Sequence, residues 1–289
     1  MRSAVAATLL LGSLRVAFGQ PAVPEHAVEP PRSIRLYVLD CGSLHVADPS
    51  RFGLSREELA PPELAVACYL VVHPKGSLLW DAGAVPDNAW KPGGGPAEQA
   101  SPLGRVTVTR RLTDQLTEAG IASAAMTYLA FSDYRGDHTG NANTFAKATW
   151  LVRQVEREAM FAETPPPLTE PASYASLRDS KTVMIEREQY DVFGDGTVVI
   201  KAAPGPTPGH QLLYVKLAKT GGVLLSGDVY YSAAARTLAR FPTFDFDHEK
   251  AVASRATIEA FLKSTGAQLW IQHDVAAHSK LKKAPQYYE

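Results

Sequence analysis

The sequence predicts an α+β domain in which two β-sheets are covered by helices. Segments of period 2 and segments of period 3.6 are mixed in both halves of the chain, rather than following one another as a single run of βαβ units. The 289 residues are 45% hydrophobic and 20% charged, a composition able to bury a sizeable core. Polar residues also collect directly behind short apolar runs, where strands would deliver them to one edge of a sheet.

Ile34 to Asp40 alternates as a strand, and Ala67 to Val72 with Ser77 to Asp81 form a hairpin about His73-Pro74-Lys75-Gly76. Its second arm runs into Leu79-Trp80-Asp81-Ala82-Gly83, an acid and a glycine straight after a buried strand. Arg110 to Ala119 carries Leu112, Leu116 and Ala119 on one face and stops at Gly120, as an amphipathic helix does. Thr127 to Phe131 is a short apolar strand that leads into the polar run Ser132 to Asn141. Ala148 to Val152 reads as a strand, and Gln154 to Phe161 as a helix with Glu156, Arg157 and Glu158 facing water. Pro165-Pro166-Pro167 then opens a loop to about Lys181, either a lid or a surface excursion. In the second half, Thr197 to Ala202, Gln211 to Leu217, Val223 to Ser226 and Ala267 to Ile271 read as strands. Ala251 to Lys263 is a helix striped by Ala251, Ile258 and Leu262.

Residues 1–19 carry the marks of an export signal: Arg2, the apolar run Ala4 to Leu14, and Ala17-Phe18-Gly19 as a cleavage site. Arg15 spoils the pattern, so a cytosolic N-terminus is the competing reading. A Pro-rich leader, 20–32, with Pro21, Pro24, Pro30 and Pro31, precedes a domain spanning 33–289. The expected location is periplasmic or secreted, and no other segment suits a membrane span. The net charge of −1, with no basic cluster longer than Lys280-Leu281-Lys282-Lys283, argues against nucleic acid and for small-molecule chemistry. Cys41 and Cys68 each sit in or beside a strand and read as small buried hydrophobes rather than bridge partners, although export would permit a bridge.

Four clusters place a metal-ligating residue type behind a strand or in a tight turn. They are Asp137-His138, His210 in Thr207-Pro208-Gly209-His210, Asp228 in Ser226-Gly227-Asp228, and His273 in Gln272-His273-Asp274. Each alone is an ordinary turn or surface histidine, but together they supply the imidazoles and carboxylates that hold catalytic zinc. His248 and His278 read as surface residues, His278 being a minor candidate for substrate contact.

In this order the motifs resemble the metallo-β-lactamase superfamily, whose pattern is H-x-H-x-D-H, a histidine after a P-G turn, an aspartate after a strand, and a late histidine. The likeness runs from about Ile34 to His273 and implies a four-layer αββα sandwich. Within the superfamily the chain is similar to the N-acyl homoserine lactone lactonases, because Tyr231 stands three residues beyond Asp228. The resemblance implies that the Tyr231 hydroxyl binds substrate near the scissile ester; a tyrosine simply packed at a sheet edge is the alternative.

Where the family has its first two histidines this chain has Asp133 and Arg135. By the resemblance, Asp137, His138, Asp228 and His273 complete one metal position, while His210 is the imidazole left of the other. A guanidinium has no lone pair to donate, so Arg135 either repels a nearby cation or stands in for one by pairing with Asp133 or Asp228. The expected cofactor is zinc, as one ion rather than two. The alternatives are no functional metal, or two ions with Asp133 as a substitute ligand. One ion would lower the pKa of its bound water to about 7 and deliver hydroxide to a carbonyl, with Asp137 orienting the water or passing its proton. The expected function is a metal-dependent hydrolase of reduced activity that opens a small-molecule lactone or related ester. A degraded member that binds a ligand or partner without turnover, and a β-lactamase, are the competing readings. Oligomeric state and acyl-chain preference leave no mark in a single sequence.

Overall fold

The computed structural model describes residues 31–91 and 95–289, so the export-signal segment and all but the end of the Pro-rich leader lie outside it. The first sheet holds β1 (Arg35–Val46), β2 (Glu63–His73), β3 (Gly76–Trp80), β4 (Ala97–Ser101), β5 (Gly104–Val108), β6 (Tyr128–Ala130), β7 (Thr149–Val152) and β8 (Thr182–Met184). Their order across it is β4-β5-β1-β2-β3-β6-β7-β8. The second sheet holds β9 (Gln189–Asp191), β10 (Val198–Ala202), β11 (Gln211–Leu217), β12 (Gly221–Leu225) and β13 (Gln268–Trp270), in the order β13-β12-β11-β10-β9. The helices are α1 (Leu112–Glu118), α2 (Gly136–Thr139), α3 (Gln154–Met160), α4 (Pro171–Tyr174), α5 (Ala233–Thr237), α6 (His248–Thr265) and α7 (Val275–His278).

Strand alternation builds the layers. In β1, Leu36 and Val38 point to one face and Tyr37, Leu39 and Cys41 to the other. The first face, with Val71 and Trp80, packs on Ile200, Leu213, Val215 and Leu225 of the second sheet. Leu112 and Leu116 of α1 and Met160 of α3 cover the opposite face of the first sheet. Ile258 of α6 covers Leu212 and Leu224 on the outside of the second. The result is the αββα sandwich that the motifs imply. α6 begins at Asp247, whose carboxylate accepts from the Lys250 N–H, and ends at Gly266 in the left-handed region, φ 67°. Among the described residues, no helix is long and apolar enough to cross a membrane.

Several expectations need correction. The β4–β5 hairpin, β8 and β9 are too short or too polar to show a period in the sequence. The segment before Lys181 is not a bare loop: it carries α4 and a 3-10 turn at Ala175–Asp179, anchored by buried Tyr174 and Leu177. Cys41 and Cys68 form a disulfide, with Cα atoms 5.9 Å apart. Leu39 pairs with Cys68 in the β1–β2 register, and Cys41, two residues on, shares its face, so the thiols meet diagonally. His278 is buried, not on the surface, while His248 is exposed.

Candidate active site

Parallel strand pairs bring the polar clusters together. β3 and β6 are parallel neighbours, so Asp81 and the run from Ser132 to His138 emerge at one sheet edge. β12 and β13 are parallel neighbours in the other sheet, and deliver Asp228 and His273 to the same place.

Two imidazoles are aimed at a common point. The Nδ1 of His138 lies 3.0 Å from the Ser132 hydroxyl and 3.1 Å from Asp81 Oδ2, and the Nδ1 of His273 lies 2.7 Å from the Ala65 carbonyl. These acceptors make Nδ1 the protonated nitrogen of each ring, so Nε2 presents a lone pair. His138 Nε2 lies 3.1 Å and His273 Nε2 2.7 Å from Asp228 Oδ1, with Asp137 oxygens at 3.8 Å and 3.9 Å. Lone pairs then face carboxylates, an arrangement that calls for a cation or for extra protons between them. Burial opposes protonation of His138, but Asp137, Asp81, Asp228 and Asp133 outweigh it and hold the ring well above the usual histidine range. His273 is likewise raised against its burial, by Asp228 and Asp137. Ligand atoms of Asp137, His138 and His273 all lie within 4.8 Å of one another, as do those of Asp133, His138 and Asp228. Asp137, His138 and His273 therefore offer donors that fit a divalent ion, with Asp228 Oδ1 beside both imidazoles and each imidazole oriented by its own outer hydrogen bond.

The other half of the site is built differently. Arg135, 3% exposed, donates from one terminal nitrogen to Asp133 Oδ2 at 2.9 Å, to Asp228 Oδ2 and to the Tyr231 hydroxyl at 3.1 Å. Its second terminal nitrogen donates to the Pro206 carbonyl at 2.7 Å. Tyr231 donates its hydroxyl proton to Asp228 Oδ2 at 2.6 Å and stacks on His273 with centroids 5.2 Å apart. Phe244 lies against the guanidinium at 5.1 Å and edge-on to Tyr231. His210 faces away from the carboxylates: its Nδ1 lies 3.1 Å from the Ala203 carbonyl, and its Nε2 accepts the Asp228 backbone N–H at 2.9 Å. Burial depresses its pKa to about 3, which suits a neutral acceptor. Gly227 makes this approach possible, because a Cβ there would sit 2.5 Å from His210 Nε2.

Burial and Asp228 push the Asp133 carboxyl up to about 7, with Arg135 opposing. Asp228 itself is held well below the usual carboxylate range despite its burial, by His138, His273 and Arg135.

Some supporting residues had little or no sequence signal. Glu156 of α3, read as water-facing, is 4% exposed. It accepts from the Tyr134 N–H at 2.9 Å, the Thr207 hydroxyl at 2.9 Å and the Gly209 N–H at 2.8 Å, tying the loop of Asp133 to the turn before His210. Gln272 donates to Asp81 at 2.6 Å and accepts from the Gly227 N–H at 3.0 Å. Asp81 and Gln272 lie within motifs visible in the sequence, but a glutamate between charged neighbours on a short helix gives no hint of burial.

Comparison with known proteins places this geometry in context. The family model of the metallo-beta-lactamase superfamily matches residues 136–264, starting just beyond Arg135. The chain is 31% identical over 265 residues to the N-acyl homoserine lactonase AttM of Azorhizobium caulinodans, covering 89% of this chain and 99% of that protein. It is 26% identical to the N-acyl homoserine lactonase AiiA of Bacillus thuringiensis subsp. kurstaki, over 78% of this chain and 87% of the relative. Among solved structures it superposes on an N-acyl homoserine lactone hydrolase holding the product N-hexanoyl-L-homoserine at its catalytic metal centre. That match has a TM-score of 0.71 and 23% identity, covering 88% of this chain and 99% of the other. The dizinc quorum-quenching lactonase AidC matches with a TM-score of 0.64 and 18% identity, over 88% and 93% of the two chains.

Proposed function

Because the chain belongs to the metallo-β-lactamase superfamily, we propose that it is a metal-dependent hydrolase that opens the ring of an N-acyl homoserine lactone or a related lactone. The observation that carries this reading is the convergence of His138 Nε2, His273 Nε2 and the carboxylates of Asp228 and Asp137 on one point. One zinc ion, held by these four side chains, would polarise the scissile carbonyl and acidify water. Asp137 has 18% of its side chain exposed, while Asp228, His138, His273 and Tyr231 are almost wholly buried. It is the group placed to orient an attacking water and to take its proton. The Tyr231 hydroxyl is committed to Asp228 and Arg135, so in this state it orders the carboxylate.

A narrow cleft opens beside Asp137, walled by Leu44, Ala84, Leu103, Val106 and Leu168 with Gln99, Ser101 and Glu170 among its polar lining. The chain acts in an oxidising compartment outside the cytosol, a reading supported by the buried disulfide. Turnover is slower than in a relative with two ions, because the Arg135 terminal nitrogens are held on Asp133, Asp228, Tyr231 and the Pro206 carbonyl rather than aimed at a developing oxyanion.

The test is ring opening of a long-chain acyl homoserine lactone by zinc-loaded protein, followed by proton release, with a cephalosporin as control. Lactone hydrolysis abolished by a chelator and restored by zinc is the expected result. Background rates on the lactone at one equivalent of bound zinc would leave a ligand-binding member of the fold, and cephalosporin turnover would make it a β-lactamase.

A further inference from the structure

We infer that Arg135 is a resident cation that replaces the first metal ion, and that His210, released from ligation, positions Asp228 through its backbone. The inference rests on the hydrolase reading and assigns the part of that site which the remaining metal ligands leave over. A first ion in this half of the site would need oxygens of Asp133 and Asp228 and the free lone pair of His210. The structure places one guanidinium nitrogen against both carboxylates and against the Tyr231 hydroxyl. The second nitrogen is anchored on the Pro206 carbonyl, in the turn that carries His210. The guanidinium carbon sits over the Phe244 ring and Arg135 is buried, so the cation is built in rather than visiting.

The His210 ring is turned to match. Its Nδ1 faces a carbonyl and must donate, which leaves Nε2 as the acceptor of the Asp228 N–H, so the lone pair that would bind a metal is already used. The two halves of the site thus divide Asp228 between them. Oδ2 is held by Arg135 and Tyr231, and Oδ1 is left facing His138 and His273. His210 fixes the backbone from which that carboxylate projects, and Glu156 holds the turn before His210 by accepting from Thr207 and Gly209. A guanidinium supplies charge and fixed donors without demanding lone pairs, which is the chemistry needed to order a carboxylate once two histidines are gone.

Zinc stoichiometry, measured by elemental analysis after equilibration with zinc and gel filtration, tests the assignment. The expected values are one equivalent for the natural chain and one for His210→Ala, since that ring is not a ligand. The double variant Asp133→His with Arg135→His should gain one equivalent over the natural chain, and adding His210→Ala to it should remove that gain. Two equivalents in the natural chain, falling to one in His210→Ala, would overturn the inference. So would a folded double variant that gains no zinc. Should the double variant not fold, His210→Ala in the natural background decides: unchanged zinc with a lowered melting temperature supports a positioning role, and lost zinc refutes it. A natural chain that holds no zinc at all would sink the hydrolase reading instead, and the gain in the double variant would still report on Arg135.

Discussion

Replacing Arg135 by methionine removes the positive charge between two buried carboxylates while keeping much of the side chain's length. Asp133 and Asp228, 1% and 2% exposed, would then confront one another, and the Pro206 carbonyl would lose its donor. Removing one partner of a buried ion pair typically costs about 3–5 kcal/mol. For a domain of this size that is a fall in melting temperature of roughly 6–20 °C. The loss should depend on pH in a definite direction. Asp133 is already pushed up to about 7 from an ordinary value of 3.8, with Arg135 acting to lower it. Without the guanidinium its pKa rises further, so the folded variant keeps a proton that the unfolded chain releases, and stability falls as pH rises through that higher window. The deficit should therefore be present already near pH 5.5, where the pair with the ionised Asp228 is lost, and grow above pH 7 by up to about 1.4 kcal/mol by pH 8. Thermal unfolding of both chains at the two pH values measures it. A deficit below about 2 °C at pH 8, where an intact ion pair predicts several times more, would refute the view that Arg135 holds the two carboxylates together.

Two further outcomes follow from buried groups. Burial and Asp133 raise the Glu156 carboxyl to about 8 from 4.5, so the natural chain should lose stability between about pH 4.5 and pH 8, at up to about 1.4 kcal/mol per unit. Glu156→Gln should flatten that slope while losing about 1–3 kcal/mol near pH 5 through mispaired donors, and parallel denaturant curves for the two chains would contradict the assignment. The Cys41–Cys68 bridge spans 27 residues of sequence, for which chain entropy predicts about 3.5 kcal/mol. The double variant Cys41→Ala with Cys68→Ala should melt roughly 7–14 °C lower, and an unchanged melting temperature would mean that the bridge does not form in the protein as made.

Much of the fold was legible because its long strands are apolar runs bounded by turns and its long helix is capped. β1, β2, β3 and β11 are apolar runs, β2 and β3 buried on both faces, and α6 is bounded by Asp247 and Gly266. The parts that were missed carry no such signal. β4, Ala97–Ser101, is a polar edge strand, and α4 hides among prolines. The disulfide was missed because it depends on the register of β1 against β2, which brings together two cysteines that the sequence only places on separate strands. Glu156 was misread for a related reason: charge in a short helix marks exposure unless some other segment supplies donors, and here Tyr134, Thr207 and Gly209 do so from afar.

For the site, the sequence alone determined which residue types are present: Asp137, His138, Asp228 and His273 kept, with Asp133 and Arg135 in place of two histidines. That follows from chemistry that does not depend on geometry, since a guanidinium cannot be a ligand wherever it lies. Tertiary structure decided what the replaced half does. Arg135 meets Asp228, 93 residues away in sequence, and His210 turns its lone pair to the Asp228 backbone 18 residues on. Whether an arginine expels a cation or stands in for one depends on the distance and direction of carboxylates brought together by two sheets. Coulomb energy and hydrogen-bond angle are fixed by those positions, and chain order does not contain them.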